Sequence, residues 1–251
     1  MADYKCCKAK SSRYGRCKLV NTCMKTRIIR LEENEHSCEM AKDCYDQAIL
    51  HGLSPSYFKA INGNDASEHY EKTGIHLKRK MKKGRLGAVG CFFSHYYLWL
   101  ECMQTNTPFV ILEHDGYMLK PLPGNILDTF EDVLKLDRCD PFSNSYNKTL
   151  NLESTLELSI EKYVNLENKN PVKIGTGNYF KGAYAYIIKP SGATKLIKHI
   201  RQNGHVPADQ QIGNWIVDTR TTIPSLARLH PFYAIKTNIK RHSLTRNLGK
   251  Q

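Results

Sequence analysis

Glu113-His114-Asp115 closes the apolar run Phe109-Val110-Ile111-Leu112, and residue type and spacing first suggest chemistry there. Two carboxylates two positions apart share a side if strand geometry persists, so both can approach one hard cation, directly or through water. Open α/β sheets bind ligands beyond the carboxyl ends of their strands, which makes this edge the expected seat of a metal-bound diphosphate. Acids also end strands simply to solvate the chain or cap the next helix, and on these three residues alone that plainer role is favoured.

The elements that must position this triplet can be read on either side of it. Residues 88–103 are apolar and aromatic, with Glu101 and any proton on His95 as their only charges, and they predict a largely buried helix. Thr105-Asn106-Thr107-Pro108 breaks that helix before a short central strand over 109–112. Upstream, a strand over 26–31, a helix over about 35–51, a strand over 57–60 and a turn at Asn62-Gly63 make the βαβ opening of a nucleotide-binding half. Downstream, 128–136 is expected as a helix and 140–151 as a polar loop, while 183–188 reads as a strand and Pro190 opens a helix to about Arg201. Gly175-Thr176-Gly177-Asn178-Tyr179 permits close backbone approach to a sugar, and equally a tight loop. His95 follows Ser94 inside the apolar helix, where a histidine is more often a hydrogen-bonded core residue than a catalyst.

The order of several segments adds a resemblance. These are Arg27-Ile28-Ile29-Arg30-Leu31, Phe58-Lys59-Ala60-Ile61-Asn62-Gly63, the glycine-rich helix start Gly87-Ala88-Val89-Gly90-Cys91-Phe92-Phe93-Ser94-His95, Ile111-Leu112-Glu113-His114-Asp115, and the Gly175 to Ala193 segment. Together they span most of residues 24–230, and the chain resembles family 25 glycosyltransferases, the group containing lipooligosaccharide and collagen hydroxylysine galactosyltransferases. His114 stands where that family has the middle Asp of its acidic site.

The resemblance implies a single α/β domain of the glycosyltransferase-A type, with a mixed, mainly parallel central sheet flanked by helices. It implies inverting transfer of a sugar from a UDP-type donor to a hydroxyl. Glu113 and Asp115 would hold a divalent cation, Mn²⁺ or Mg²⁺, and the donor diphosphate, with His114 beside them. The exchange of Asp for His removes one negative charge, which weakens the claim on an ion or leaves basic groups to substitute for it. His95 moves towards the site, where it would orient an acid or contact a phosphate. Asp209, in Pro207-Ala208-Asp209, becomes a base or a metal or sugar ligand, although as a lone residue it also suits an N-cap. The uridine would lie near Arg30-Leu31 and the Asn62-Gly63 turn, with Gly177 and Asn178 towards the sugar. An exposed basic residue and a turn tolerant of positive φ explain Arg30 and Asn62-Gly63 equally well.

Charge bears on the acceptor. The 251 residues carry a formal net charge of +13 and 41% hydrophobic content, enough for one sizeable core. Residues 1–30 hold nine basic residues and one acid, Lys78-Arg79-Lys80-Met81-Lys82-Lys83-Gly84-Arg85 holds six, and 236–251 holds five. The remainder is therefore net acidic, and the positive charge is segregated. A solvated face is the usual meaning of such a run. Beside the site helix, however, Lys78, Arg79, Lys80, Lys82, Lys83 and Arg85 would bind phosphates or steer a polyanionic acceptor.

Six of the nine cysteines precede residue 45, without a C-x-x-C pair, so reduced thiols are expected over zinc or disulfides. No apolar run reaches the roughly 18–20 residues of a membrane span, and residues 1–23 lack a signal peptide's apolar centre. The expected compartment is cytoplasm, of the host if the source is viral. That argues against collagen and towards a hydroxymethylated base in DNA, of the kind some bacteriophages make. Lipopolysaccharide core is the alternative acceptor, and a non-catalytic basic nucleic-acid-binding module is the alternative class. The expected organisation is a basic Cys-rich extension over 1–23, a catalytic domain over 24–235 and a basic tail over 236–251.

Overall fold

Strand β1 (Lys25–Arg30) buries Thr26, Ile28 and Ile29, and its two sheet faces meet different helices. The computed structural model describes residues 24–77, 86–138, 151, 155–163, 179–180 and 182–230. The 1–23 extension, the 236–251 tail, Lys78, Arg79, Lys80, Lys82, Lys83, Arg85, Gly177 and Asn178 lie outside the described residues.

Helix α1 (Glu35–Leu50) starts where the Asn34 side chain accepts a hydrogen bond from the Ser37 backbone N–H at 2.8 Å, satisfying one orphan donor of the first turn. Its inward stripe is Ser37, Met40, Ala41, Cys44 and Ala48, with helical spacing. Strand β2 (Ser54–Lys59) then pairs parallel with β1. A short 3₁₀ turn at Gly63–Asp65 leads into α2 (Ala66–Thr73). Helix α3 (Leu86–Thr105) buries residues around most of its circumference, which is why it reads as apolar throughout rather than on one stripe. Strand β3 (Phe109–Glu113) follows, parallel to β1 and fully buried from Phe109 to Leu112.

The remaining elements are β4 (Gly116–Met118), β5 (Val133–Lys135), β6 (Ser159–Lys162), β7 (Ala185–Ile188), α4 (Pro190–Asn203), α5 (Ala208–Gln211), β8 (Thr219–Ile223) and β9 (Ala227–Leu229). The seven-stranded sheet has the order β2-β1-β3-β7-β5-β8-β6. Strands β2, β1, β3, β5 and β8 run one way; β7 and β6 run the other. This is the mixed, mainly parallel α/β sheet flanked by helices that the sequence implied. A two-stranded antiparallel sheet, β4 with β9, closes over the end of β3.

One face of the main sheet packs on α3 and α4 through an aromatic core that includes Phe92, Phe93, Tyr96, Trp99, Phe180 and Tyr186. The other packs on α1 through aliphatic groups such as Ile28, Ala41, Val110, Leu112 and Leu134. The expected helix over 128–136 is not there. A 3₁₀ turn spans Ile126–Thr129, and Val133 to Lys135 form β5, held between β7 and β8. All three β5 residues are buried, and a strand covered on both faces has no alternation to distinguish it from a buried helix.

Candidate functional site

The start of α3 lies against the loop after β2 because two glycines let backbones meet. A Cβ on Gly63 would sit 2.0 Å from the Leu86 carbonyl oxygen, and one on Gly90 would sit 2.4 Å from that of Ile61. Ser94 fastens the same junction. Its hydroxyl donates to the Gly90 carbonyl at 2.8 Å and accepts from the Ile61 N–H at 2.8 Å. The result is a cleft of about 480 Å³ at the carboxyl ends of β1 and β3. It is lined by Ile29 and Leu31, by Ala60, Ile61 and Gly63, by Gly87, Cys91, Ser94 and His95 of α3, and by Glu113 and His114.

A buried chain of polar groups enters this cleft from the aromatic core. The Trp99 indole N–H donates to the Tyr186 hydroxyl at 2.9 Å, and that hydroxyl lies 2.8 Å from His95 Nδ1. On its other side His95 Nε2 meets Glu113 Oε1 at 3.1 Å. One proton order satisfies every group: Trp99 donates to Tyr186, Tyr186 to Nδ1, and Nε2–H to the carboxylate. His95 is fully buried whereas Glu113 is 23% exposed, so the histidine anchors the acid at the cleft wall. Burial opposes ionisation of Glu113, but the hydrogen bond and charge of His95 outweigh it and hold the carboxyl below its ordinary value.

The strand geometry that would put Glu113 and Asp115 side by side ends at Glu113, and His114 and Asp115 form a turn before β4. Two backbone bonds pin this turn: the Asp115 carbonyl accepts from His230 N at 2.7 Å, and the His114 carbonyl accepts from the Cys44 thiol at 2.8 Å. Their side chains are less engaged. Asp115 Oδ1 and His114 Nε2 are buried without a hydrogen-bond partner. Burial drives the Asp115 carboxyl up to about 6, and the Glu113 charge pushes the same way while His114 opposes it.

Asp209 sits in the first turn of α5, after Pro207 at the N-cap position, and its Oδ1 accepts from its neighbour Gln210 N at 2.9 Å. Burial raises its carboxyl to about 6 as well; the Glu113 charge adds to the rise and His95 opposes it. These mutual effects bring Asp209, Glu113, His95 and Asp115 into one electrostatic group, although they come from three separate stretches of chain.

Arg30 is placed otherwise. Its guanidinium stacks on Tyr57 at 3.8 Å from the ring centroid and pairs with Glu32 at 3.6 Å, and it is not among the residues lining the cleft. Asn62 caps the 3₁₀ turn by accepting from Asn64 N at 3.0 Å, which leaves Gly63 as the member of that pair on the cleft wall. Two participants escaped sequence reasoning. Cys91 Sγ lies 3.8 Å from Glu113 Oε1, and its spacing four residues before His95 was the available signal. Tyr186 had none, because it reaches His95 across 91 positions.

Comparison with known proteins places the chain in a family. The family model described as Glycosyltransferase family 25 (LPS biosynthesis protein) matches residues 24–212. A "Glycosyltransferase 25 family member" of Aedes aegypti is 24% identical over 172 residues, covering 64% of this chain and 26% of the relative. The "Lipooligosaccharide biosynthesis protein lic2B" of Haemophilus influenzae is 26% identical over 117 residues, covering 45% of this chain and 41% of the relative. The chain thus spans less than half the length of either. The crystal structure of mouse xyloside xylosyltransferase 1 in its apo form overlaps 75% of this chain and 79% of its own, at a TM-score of 0.34 and 10% identity, too loosely to carry residue roles across.

Proposed function

The chain belongs to glycosyltransferase family 25, and from that membership and the cleft we propose that it moves a sugar from a UDP-type donor to a hydroxyl of a polyanionic acceptor. The observation that carries the reading is a group of three electrostatically linked acids, of which Glu113 lines the cleft while Asp115 and Asp209 lie behind that lining with their carboxyls raised to about 6. Asp132 Oδ1 lacks a partner as Asp115 Oδ1 does, so it is the place of Asp115, just beyond the carboxyl end of a central strand, that suits a ligand.

Asp209 is assigned as the base. A carboxyl near 6 is ionised at neutral pH yet more basic than an ordinary aspartate, which favours accepting the acceptor's hydroxyl proton. The freed oxygen pair forms the new bond to the anomeric carbon, on the face opposite the diphosphate. The old carbon–oxygen bond breaks towards the diphosphate, which departs with the electron pair. His95, fixed by Tyr186, holds Glu113 at the wall, and Gly63 permits close backbone approach at the nucleoside end. Asn62 and Arg30 would shape that end from behind, and Gly177 and Asn178 are assigned to the sugar.

The unpartnered Asp115 Oδ1 and His114 Nε2 fit a divalent cation, Mn²⁺ or Mg²⁺, which Asp115 and Glu113 would hold. Such an ion would supply positive charge to the departing diphosphate.

Two acceptors remain in this reading. Segregated positive charge, with Lys78, Arg79, Lys80, Lys82, Lys83 and Arg85 beside α3 in sequence, supports hydroxymethylated DNA. The printed name of the Haemophilus relative supports a lipooligosaccharide core instead, and neither the family description nor the relatives' names mention DNA. The test incubates purified protein with a panel of UDP-sugars, with and without Mn²⁺, and with hydroxymethylated DNA, plain DNA or core oligosaccharide. Turnover of at least one UDP-sugar is expected, with the acceptor named by whichever hydroxyl gains the sugar. Retained polyanion binding without turnover of any donor would replace the transferase reading by the binding module.

A further inference from the structure

We propose that Cys91 Sγ, His95 Nε2 and Glu113 Oε1 form a three-ligand site for a borderline-soft cation, Zn²⁺ above all, whose occupation withdraws Glu113 and His95 from transfer. Cys91 and His95 are four apart on α3, so they share one face a turn apart, and Glu113 at the end of β3 completes the triangle. The three ligand atoms lie within 4.8 Å of one another, with His95 Nε2 to Glu113 Oε1 at 3.1 Å and Cys91 Sγ to Glu113 Oε1 at 3.8 Å. Tetrahedral Zn²⁺ with bonds of ~2.0–2.3 Å separates its ligands by ~3.3–3.8 Å, so small side-chain shifts suffice.

Ligand chemistry decides the ion. One sulfur and one imidazole nitrogen beside one carboxylate favour Zn²⁺ over Mg²⁺, whose preferred ligands are oxygens. The site therefore differs in kind from the oxygen-rich pair Asp115 and Glu113, while sharing Glu113 with it. Support comes from behind as well. Metal-bound histidines donate their other ring N–H to a fixed partner, and His95 Nδ1 already lies 2.8 Å from the Tyr186 hydroxyl. All three ligands line the cleft, which leaves a fourth position open to it. On binding, the Cys91 thiol releases its proton to solvent and His95 changes tautomer: its proton leaves Nε2, Nδ1 becomes the protonated nitrogen, and the Tyr186 hydroxyl turns from donor to acceptor of the Nδ1–H.

Metal capture itself is independent of the proposed reaction; only the loss of transfer rests on it. The experiment strips the full chain with EDTA in a non-thiol reductant and titrates it with Co²⁺, which reports thiolate ligation by a near-ultraviolet charge-transfer band. Because the chain has nine cysteines, the measure is the difference between parent and Cys91→Ser. The parent should show one additional equivalent of thiolate-bound Co²⁺, displaced by Zn²⁺. Zn²⁺ affinity at that equivalent should fall in Cys91→Ser by more than the ~10–100-fold typical of losing an outer-shell partner. Glu113→Gln keeps the thiol and should lower the same affinity, so the site remains testable if the serine variant does not fold. Identical thiolate bands in the parent and a folded Cys91→Ser, or an unchanged Zn²⁺ affinity at that equivalent in Glu113→Gln, would overturn the site. Zn²⁺ bound at Cys91 with transfer unchanged would overturn its consequence.

Discussion

Asp132 and Asp137 are fully buried, more deeply than any acid at the cleft, yet they live in a different chemical world from Asp115 and Asp209. Asp132 Oδ2 accepts from Lys195 Nζ at 2.6 Å and from Asp218 N at 2.8 Å, while its Oδ1 is buried without a hydrogen-bond partner. Asp137 takes the Ser225 hydroxyl at 2.8 Å on one oxygen and the Tyr184 hydroxyl on the other. Those acids knit β5 to β7, β8 and α4. Near the cleft Asp115 has a buried oxygen with no partner, and Asp209 is held by backbone N–H groups, of Gln210 at 2.9 Å and of Gly182. Burial outweighs the backbone hydrogen bonds and histidine charges that oppose it, and raises both of these carboxyls to about 6. Burial alone does not mark a functional acid. What separates the two groups is a strong partner on at least one oxygen: a hydroxyl on each oxygen of Asp137, and the Lys195 ammonium on Asp132 Oδ2, whereas no cation pairs with Asp115 or Asp209 among the described residues.

The sharpest way to break this comparison is at the cleft. Asp209→Asn should leave the fold intact and lower transfer by about 10²–10⁴-fold, the usual loss for a positioned base. Asp115→Asn should lower it by about 10²-fold or more, through weaker handling of the diphosphate charge. Near-normal turnover of Asp115→Asn at saturating donor would remove that residue from the site.

Asp137→Ala should do the opposite. Stranding the Tyr184 and Ser225 hydroxyls should cost about 2–4 kcal/mol in denaturant unfolding, with transfer per folded molecule little changed. A variant as stable as the parent would erase the distinction between the two groups.

The pH dependence of stability sharpens the contrast next. The folded protein holds the Asp209 proton up to about 6, against an ordinary value of 3.8, so it binds that proton more tightly than the unfolded chain. This contribution is full below about pH 4 and is lost as pH rises through about 6. Asp209→Asn cannot ionise, and relative to the parent it should gain about 1–3 kcal/mol between pH 4 and pH 7. Thermal melts of both proteins across that range measure it, and parallel curves would contradict an uncompensated acid.

The smallest expected change is at Tyr186. Tyr186→Phe keeps the ring but removes the hydroxyl between Trp99 and His95, at a cost of about 1 kcal/mol in stability. If Tyr186 positions His95, kcat should fall several-fold with KM unchanged; an equal loss in the two would mean that the hydroxyl serves donor binding instead.

Local pattern carried much of the fold. The β1-α1-β2 opening was legible because α1 is bounded by its own signals, Ser37 and the acids around it at the start and the His51-Gly52 stop at its end, although the capping residue itself, Asn34, came only with the structure. Helix α3 and strand β3 were legible because one long apolar run and one short one are divided by the Thr107-Pro108 break. Strand β5 was not, since its identity depends on β7 and β8, distant partners that a local window cannot contain. The β4–β9 pair escaped for the same reason.

The same division runs through the site. Sequence alone determined that acids follow the central strand, that a histidine follows Ser94 inside the apolar helix, and that the order of segments is that of family 25. These are facts of adjacency and short period, which covalent geometry transmits directly. Tertiary structure decided which of those groups meet: Tyr186 behind His95, Cys91 beside Glu113, Asp209 within reach of both, and Arg30 stacked on Tyr57 away from the cleft wall. The physical reason is that a carboxyl's ionisation and a histidine's tautomer depend on the partners and solvent within a few ångströms, and in this fold most of those partners come from distant parts of the chain.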